Sequence, residues 1–324
     1  MARGLAPARR APEARTDRVS GAAVAQAAGR RAAVVAALVA VQVLFGVHYL
    51  AAKILLEQVP PRSWAVIRVV GGAAVLWGLV LATRRRLPSR PGDVLQLALY
   101  SVLGVVLNQW LFVEGLSRTT PIHSALINTS IPVLTLAFAV ALRRERLSRR
   151  KLAALALALS GVLLVIRPDP RVLGDLRTVG DLLTLANATS FSLFLVLSKR
   201  VLARCDPLAA AAVLFGFGAV GLGLVGGGSV ARFDPSRVDP VVWAIAAFII
   251  VGPTALTYVL NYWALARVDS SVVALFVYLQ PLIAGVLSWT VRGERPGVPT
   301  LVGGGLVCAG VWLAVRSGRT GRGP

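Results

Sequence analysis

Long apolar runs alternate with short polar connections along nearly the whole chain. A helix of about 20 apolar residues crosses a hydrocarbon core of about 30 Å, which is the length of most of these runs. The pattern predicts an all-α polytopic membrane protein with ten transmembrane helices, called spans 1 to 10 below. The predicted spans lie near 32–51, 63–82, 94–113, 121–142, 151–166, 181–198, 208–228, 241–263, 270–291 and 298–315.

The chain also aligns with itself. At a shift of 149 positions, residues 115–167 fall on 264–316 without a gap, and Pro132 meets Pro281. An earlier stretch aligns at a shift of 146 positions. Internal repeats in a polytopic membrane protein are typical of secondary transporters.

Each copy holds five spans, and an odd number means that the second copy enters the membrane from the opposite side. The sequence therefore predicts two inverted five-helix repeats, over residues 30–167 and 168–316. A disordered basic tail is expected at 1–29 and a second tail at 317–324.

The formal net charge of +21 could indicate nucleic-acid binding, but its distribution favours membrane topology. The connection after span 4, residues 143–151, is dense in arginine, whereas its counterpart after span 9 keeps only Arg292 and Arg295. Such an excess marks cytoplasmic loops. We expect a multi-pass protein of the bacterial inner membrane with both termini in the cytoplasm, and no nucleic-acid partner.

Composition disfavours an enzyme. The chain has only two histidines, His48 and His123, no HExxH pattern, no serine-hydrolase motif within a span and no ATP-binding motif. Cys205 is expected in a loop and Cys308 within a helix, so neither a disulfide nor a cysteine metal site is predicted. No cofactor is expected.

Three stretches resemble one family. FGVHYLAAKILLEQVPPRSWAVIR at 45–68, the run from NQWLF to RERLS at 108–148 and the run from LARVD to GERP at 265–296 are similar to the EamA family of the drug/metabolite transporter superfamily. They are similar also to plant nodulin-like transporters of that superfamily. The resemblance extends from residue 32 to about 316. It implies ten helices, a cavity between two halves, and export of metabolites or amino acids by alternating access.

Pro132 and Pro281 lie near the middle of spans 4 and 9. A proline inside a helix removes one hydrogen bond and clashes with the carbonyl four residues earlier, at a cost of about 3 kcal/mol. Tolerated kinks are common in membrane helices. Recurrence at the same point of both copies favours a helix kink with a use in transport.

Polar side chains recur within the spans. They are unfavourable in hydrocarbon unless they face a partner or a watery cavity. Hydrogen bonding between helices is the alternative for any single residue, whereas their clustering on homologous spans favours a substrate site. The candidate substrate-binding residues are His48, Tyr49, Asn108, Asn128, Asn187, Thr257, Tyr258, Asn261 and Gln280.

Three charged or titratable residues lie within the predicted spans or at their ends. His48 could carry a coupling proton or act as a neutral hydrogen-bonding group. Glu114 could couple transport to a cation or form an interfacial ion pair with Arg118. Arg68 enters span 2 by about one turn, and we expect it to extend outward to the membrane surface.

These observations favour a secondary transporter that exports small metabolites or amino-acid-like, amphipathic compounds across the lipid bilayer. An uncoupled facilitator or channel, or a non-transporting scaffold, are the alternatives. Glycines in spans 7 and 10 permit close helix approach, either within the chain or in a homodimer. The sequence does not identify the substrate, the coupling ion or the direction of transport.

Overall fold

The structure of the chain is a computed structural model, and it describes residues 13–143, 149–166, 175–265, 276–277 and 279–319. Every regular element in these ranges is a helix, and none of them contains a β-strand. Seven helical stretches of the described chain are long and apolar enough to cross a membrane. These features confirm an all-α polytopic membrane protein.

Most predicted spans coincide with a helix or with a group of consecutive helices. Two further apolar helices are shorter, over Leu152–Val165 and Val298–Gly310. The start of span 9 (270–275) and the predicted repeat boundary at 167–168 lie outside the described residues. In chain order the helices are α1 (Glu13–Leu55), α2 (Pro61–Ala82), α3 (Pro91–Ser101), α4 (Asn108–Arg118), α5 (Pro121–Asn128), α6 (Ile131–Ala141), α7 (Arg149–Ile166), α8 (Leu176–Leu202), α9 (Pro207–Ala231), α10 (Pro240–Ile249), α11 (Thr257–Leu265), α12 (Leu279–Arg292) and α13 (Val298–Arg319).

Helix α1 is much longer than span 1. It begins at Glu13, so residues 13–29, predicted as disordered, are helical in the structure. The segment is rich in alanine and arginine, both strong helix formers, and it continues directly into the apolar part of the helix. The prediction of disorder considered its charge and overlooked this propensity.

Two short π-helical segments interrupt spans 3 and 8. The first, π1, is Val102–Leu107 and joins α3 to α4; the second, π2, is Ile250–Leu256 and joins α10 to α11. At the shift of 149 positions the first segment falls on 251–256, so both halves carry the same irregularity. π-Helical turns are rare and concentrate at functional sites. Sequence periodicity did not predict them.

Span 4 is broken next to its proline. Helix α5 ends at Asn128 and α6 begins at Ile131, with Pro132 in the first turn of α6. The hydroxyls of Thr129 and Ser130 donate to the carbonyls three residues earlier, which satisfies backbone groups at the break. In the second half of the chain, Pro281 is the third residue of α12.

The helices pack in reciprocal pairs. Helix α2 packs on α9, and α7 packs on α13, so these helices meet their own counterparts. Helix α1 packs on α12 as α8 packs on α6, and α2 packs on π2 as α9 packs on π1. The halves therefore interlock across a pseudo-two-fold relation, with partners exchanged between them.

Several glycines make these contacts possible. A Cβ on Gly161 would lie 2.5 Å from the carbonyl oxygen of Gly303, where α7 crosses α13. A Cβ on Gly218 of α9 would lie 2.4 Å from Cγ1 of Val105 in π1. Gly218 of span 7 and Gly303 of span 10 thus face neighbours within the same chain, as close helix packing requires.

Candidate functional site

Four polar side chains meet between the two halves, and we call them the Tyr49 cluster: Gln42, Tyr49, Asn128 and Gln280. Asn128 Nδ2 donates to the Tyr49 hydroxyl at 3.1 Å, and that hydroxyl donates to Gln280 Oε1 at 3.2 Å. Gln280 Nε2 in turn donates to Gln42 Oε1. All four are buried. The cluster links α1 and α5 of the first half to α12 of the second.

The local sequence explains why these groups converge. Gln42 and Tyr49 are seven residues apart, two helical turns, and so share one face of α1. Asn128 ends α5 four residues before Pro132, and Gln280 immediately precedes Pro281. Each half therefore presents an amide side chain close to its proline, although the two amides are not at equivalent repeat positions.

A second polar group surrounds the start of α4. Asn187 Nδ2 donates to the backbone carbonyl of Asn108 at 2.7 Å. Gln109 Nε2 donates to the Tyr258 hydroxyl at 3.3 Å and lies at the same distance from Asn108 Oδ1. Predicted residues Asn108, Asn187 and Tyr258 are thus brought together, with Gln109 as a member that the sequence reading missed.

Two predicted site residues lie apart from these contacts. The Thr257 hydroxyl donates to the backbone carbonyl of Pro253 at 2.7 Å, within its own helix and π segment. Asn261 is only half-buried, and its Oδ1 has no hydrogen-bond partner among the described residues. Neither joins the Tyr49 cluster.

Arg68 does not reach the membrane surface as the sequence predicts. It is 2% exposed, and its Nε donates to the Thr254 hydroxyl in π2 at 2.9 Å. Its Cζ lies 5.8 Å from the ring centroid of Phe112. The prediction was wrong because Arg68 lies four residues from both Trp64 and Gly72, on the face of α2 that packs inward.

Phe112 connects this arginine to the Tyr49 cluster. The ring of His48 stacks on Phe112 with centroids 5.2 Å apart, and the Tyr49 ring meets the Phe112 edge at 5.7 Å. His48 is buried and its Nε2 has no hydrogen-bond partner in the described chain. A cation, an imidazole and a phenol therefore surround one aromatic ring in the interior.

Glu114 lies at the end of the bundle where α1 and α4 finish, called the Lys53 end below. Its carboxylate accepts from Arg118 at 2.5 Å and from Arg62 at 3.3 Å. Lys53 at this end donates to three backbone carbonyls near the end of α4. Glu114 therefore has the geometry of an interfacial ion pair, which is one of the two interpretations that the sequence left open.

A buried polar cluster at the Lys53 end was missed entirely. His123 Nδ1 lies 3.0 Å from Asp181 Oδ2, and Arg177 Nη2 lies 2.6 Å from His123 Nε2. Since an arginine can only donate, Nε2 accepts and Nδ1 donates to Asp181. Thr119 also donates to Asp181. The cluster ties α5 of the first half to α8 of the second.

Several central side chains retain unused hydrogen-bonding capacity. Asn128 Oδ1, Gln109 Oε1 and Arg68 Nη1 are buried and have no protein partner in the described ranges. Buried polar atoms are normally satisfied, so their convergence favours contact with a ligand. Those same ranges contain no group of three or more His, Cys, Asp or Glu side chains placed to hold a metal ion.

Comparison with known proteins agrees with this architecture. An uncharacterized transporter of Archaeoglobus fulgidus is 27% identical over 266 residues, 81% of this chain and 90% of the relative. The uncharacterized transporter YyaM of Bacillus subtilis is 26% identical over 286 residues, 86% and 92% of the two chains. A solved crystal structure superposes with a TM-score of 0.61 at 21% identity, over 90% of this chain and 99% of the other.

The model of the EamA-like transporter family matches the chain twice, over residues 32–167 and 178–316. The two matches contain the Asn128 side and the Gln280 side of the Tyr49 cluster, respectively. Since they cover most of the sequence, this chain belongs to the EamA-like transporter family.

Proposed function

We propose that this membrane transporter is a secondary exporter of small metabolites, amino-acid-like or amphipathic, which works by alternating access and is not an enzyme. The observation that carries the proposal is the Tyr49 cluster. Two of its hydrogen bonds, from Tyr49 to Gln280 and from Gln280 to Gln42, run between helices of opposite halves, so relative movement of the halves would expose and remake them. A solute with polar groups can replace those bonds, which is how a transported molecule would shift the conformational equilibrium.

Contacts between the halves at the two ends of the bundle support alternating access. At the Lys53 end, Arg292 Nη1 donates to Glu57 at 2.5 Å. At the opposite end, Arg204 Nη2 donates to Asp93 at 2.5 Å. We infer that the ion pair at one end breaks while the ion pair at the other end stays formed. From the distribution of arginine we place the Lys53 end on the outer side of the membrane.

The test is solute counterflow in proteoliposomes, with a broad panel of labelled amino acids and small metabolites. Asn128→Leu and Gln280→Leu should each reduce counterflow at least about tenfold, because each removes a cluster hydrogen bond that only the transported solute or the partner half can replace. Thr290→Val is the matched control: this exposed threonine bonds only within α12, so transport should be unchanged. If no solute of the panel moves with the wild type, the proposal fails.

The same experiment separates a transporter from a channel. Alternating access predicts saturation with solute concentration and acceleration by unlabelled solute on the opposite side. Flux that rises linearly and shows no such acceleration would establish an uncoupled pore in place of an exporter.

A further inference from the structure

Arg68 is a full positive charge placed inside the bundle. It is the eighth residue of α2, about 10 Å along the helix from Pro61. Its side chain, like those of Trp64 and Phe215, is among the largest that are fully buried. Transfer of an isolated charge from water into such surroundings is strongly unfavourable unless a counter-charge or several hydrogen bonds compensate it.

The protein supplies little of that compensation. Thr254 accepts one hydrogen bond from Nε, and the face of Phe112 lies against the guanidinium. No carboxylate of the described residues pairs with Arg68, and Nη1 has no partner there. A guanidinium offers five N–H donors and matches a carboxylate geometrically. The unused N–H donors and the uncompensated positive charge of Arg68 both favour binding of an anion.

Packing does not require the charge. Leu214 occupies the equivalent position of the second half and is equally buried, with Val105 equivalent to Thr254. The same contact is therefore built from apolar residues elsewhere in the molecule. An arginine at position 68 must be explained by something other than the fold.

We propose that Arg68 binds the carboxylate of the transported solute, and that the transporter selects small monocarboxylates with an apolar part. The carboxylate would accept from Nη1, while the rings of Phe112, His48 and Tyr49, which contact one another in the structure, would separate to receive the apolar part. Tyr49 joins this position to the Tyr49 cluster, where Asn128 Oδ1 has no hydrogen-bond partner in the described ranges and would accept from the solute's remaining polar groups. The inference rests on the proposed transport function and gives it a substrate class.

A single cation among aromatic rings fits one negative charge. A phosphate monoester carries a charge of about −1.5 to −2 and needs more donors than Arg68 and its neighbours present. His48 lies against the same Phe112 ring. Phenyl phosphate is therefore a useful competitor for which we expect weak binding.

The first test needs no variant. Purified wild-type protein is heated with phenylacetate or phenylacetamide, and with isovalerate or isovaleramide, pairs that differ in charge and little in shape. At about ten times the dissociation constant each acid should raise Tm by about 2 °C or more, and each amide should leave it unchanged. Equal stabilisation by acid and amide would overturn the inference, as would stronger stabilisation by phenyl phosphate.

The second test assigns the effect to Arg68. Arg68→Gln should abolish the acid-dependent rise in Tm and lower counterflow of L-phenylalanine and L-leucine at least about tenfold. Arg68→Lys should retain part of both, since it keeps the charge without the planar donors. The control Thr290→Val changes an exposed threonine that bonds only within α12, and it should respond to acids like the wild type.

The outcomes separate this inference from transport itself. Counterflow that persists in Arg68→Gln, or without preference for acids, would refute the role of Arg68 and leave transport standing. Acid-specific stabilisation without counterflow of any solute would refute transport and support the anion site. If Arg68→Gln does not give a monodisperse protein, Arg68→Lys and the wild-type pairs of acid and amide decide the question.

Discussion

The contact of α2 with π2 and the contact of α9 with π1 are built on the same plan but differ in chemistry. In the first, Gly72 lets Thr254 approach, and Arg68 donates to that threonine. In the second, Gly218 lets Val105 approach, and Leu214 stands in place of the arginine. Both contacts exclude solvent. Duplication therefore preserved a backbone arrangement and changed the side chains that fill it.

The comparison separates what the fold needs from what transport uses. A glycine opposite a short side chain is present on both sides and satisfies the packing of the two helices. The polar pair is present on one side only, at an electrostatic disadvantage that the apolar pair avoids. We attribute that disadvantage to substrate binding, which the second contact does not perform.

The largest loss of stability is expected when an arginine is placed in the apolar contact of α9 with π1. Leu214→Arg places an unpaired cation among apolar neighbours, with Val105 at the position equivalent to the threonine that accepts from Arg68. We expect a loss of about 3–5 kcal/mol, a large part of the total stability of a typical domain. The yield of monodisperse protein in detergent measures it. Normal yield and Tm would mean that the second contact can also hold a charge.

The converse change gives the contact of α2 with π2 the apolar side chains of the contact of α9 with π1. Arg68→Leu combined with Thr254→Val should leave Tm unchanged or raise it, because replacement of buried polar groups by packed apolar ones stabilises by up to about 4 kcal/mol. Counterflow of L-phenylalanine should nevertheless fall at least about tenfold. A stable double variant that still transports would contradict the assignment of Arg68 to the solute.

A smaller difference in stability is expected between alanine substitutions at Gly218 and at Gly72. A Cβ on Gly218 would lie 2.4 Å from Val105 Cγ1, whereas one on Gly72 would lie 3.0 Å from Thr254 Cγ2. Gly218→Ala should therefore destabilise by about 1–3 kcal/mol, and Gly72→Ala by less. Gly223→Ala, with no atom within 4 Å of its Cβ, serves as the control. Equal Tm values for all three variants would show that the contacts can relax.

The smallest effect is expected at an exposed arginine six residues from Arg68. The Arg62 side chain is 61% exposed and pairs with Glu114 at 3.3 Å. Exposed ion pairs contribute at most about 1 kcal/mol, so Arg62→Ala should change Tm little. Its counterflow should stay within about fivefold of wild type, since 1.4 kcal/mol corresponds to tenfold. A tenfold loss would place a functional anion contact at the surface.

Much of the fold follows from local sequence. Span length is set by bilayer thickness, and several helices begin on a proline, whose fixed φ and missing N–H suit the first helical turn. These starts are Pro61, Pro91, Pro121, Pro207 and Pro240. The π segments were not predicted, because an extra residue in a helix depends on tertiary contacts such as Gly104 against Phe194.

The candidate site was predicted less completely than the fold. Tyr49, Asn128 and Gln280 were selected as polar residues in apolar spans, and the structure brings them together. The depth of Arg68 was misjudged because only its distance along the sequence was considered. Its spacing from Trp64 and Gly72 carried the needed signal. The pairing of His123 with Asp181 joins residues from different halves, and no local pattern encodes it.

Alternating access at the Tyr49 cluster can be tested most directly by side-specific labelling. Ser124→Cys, a small change one helical turn before Asn128 on α5, is introduced with Cys205→Ser and Cys308→Ala, which removes both native cysteines. An impermeant maleimide is then added to intact cells or to inverted vesicles. We predict slow labelling from each side, with the rates changed in opposite directions by a transported solute. Absence of labelling from both sides, while exposed Ser236→Cys and Ser89→Cys in the same background react from the outer and the inner side, would contradict a site that opens alternately.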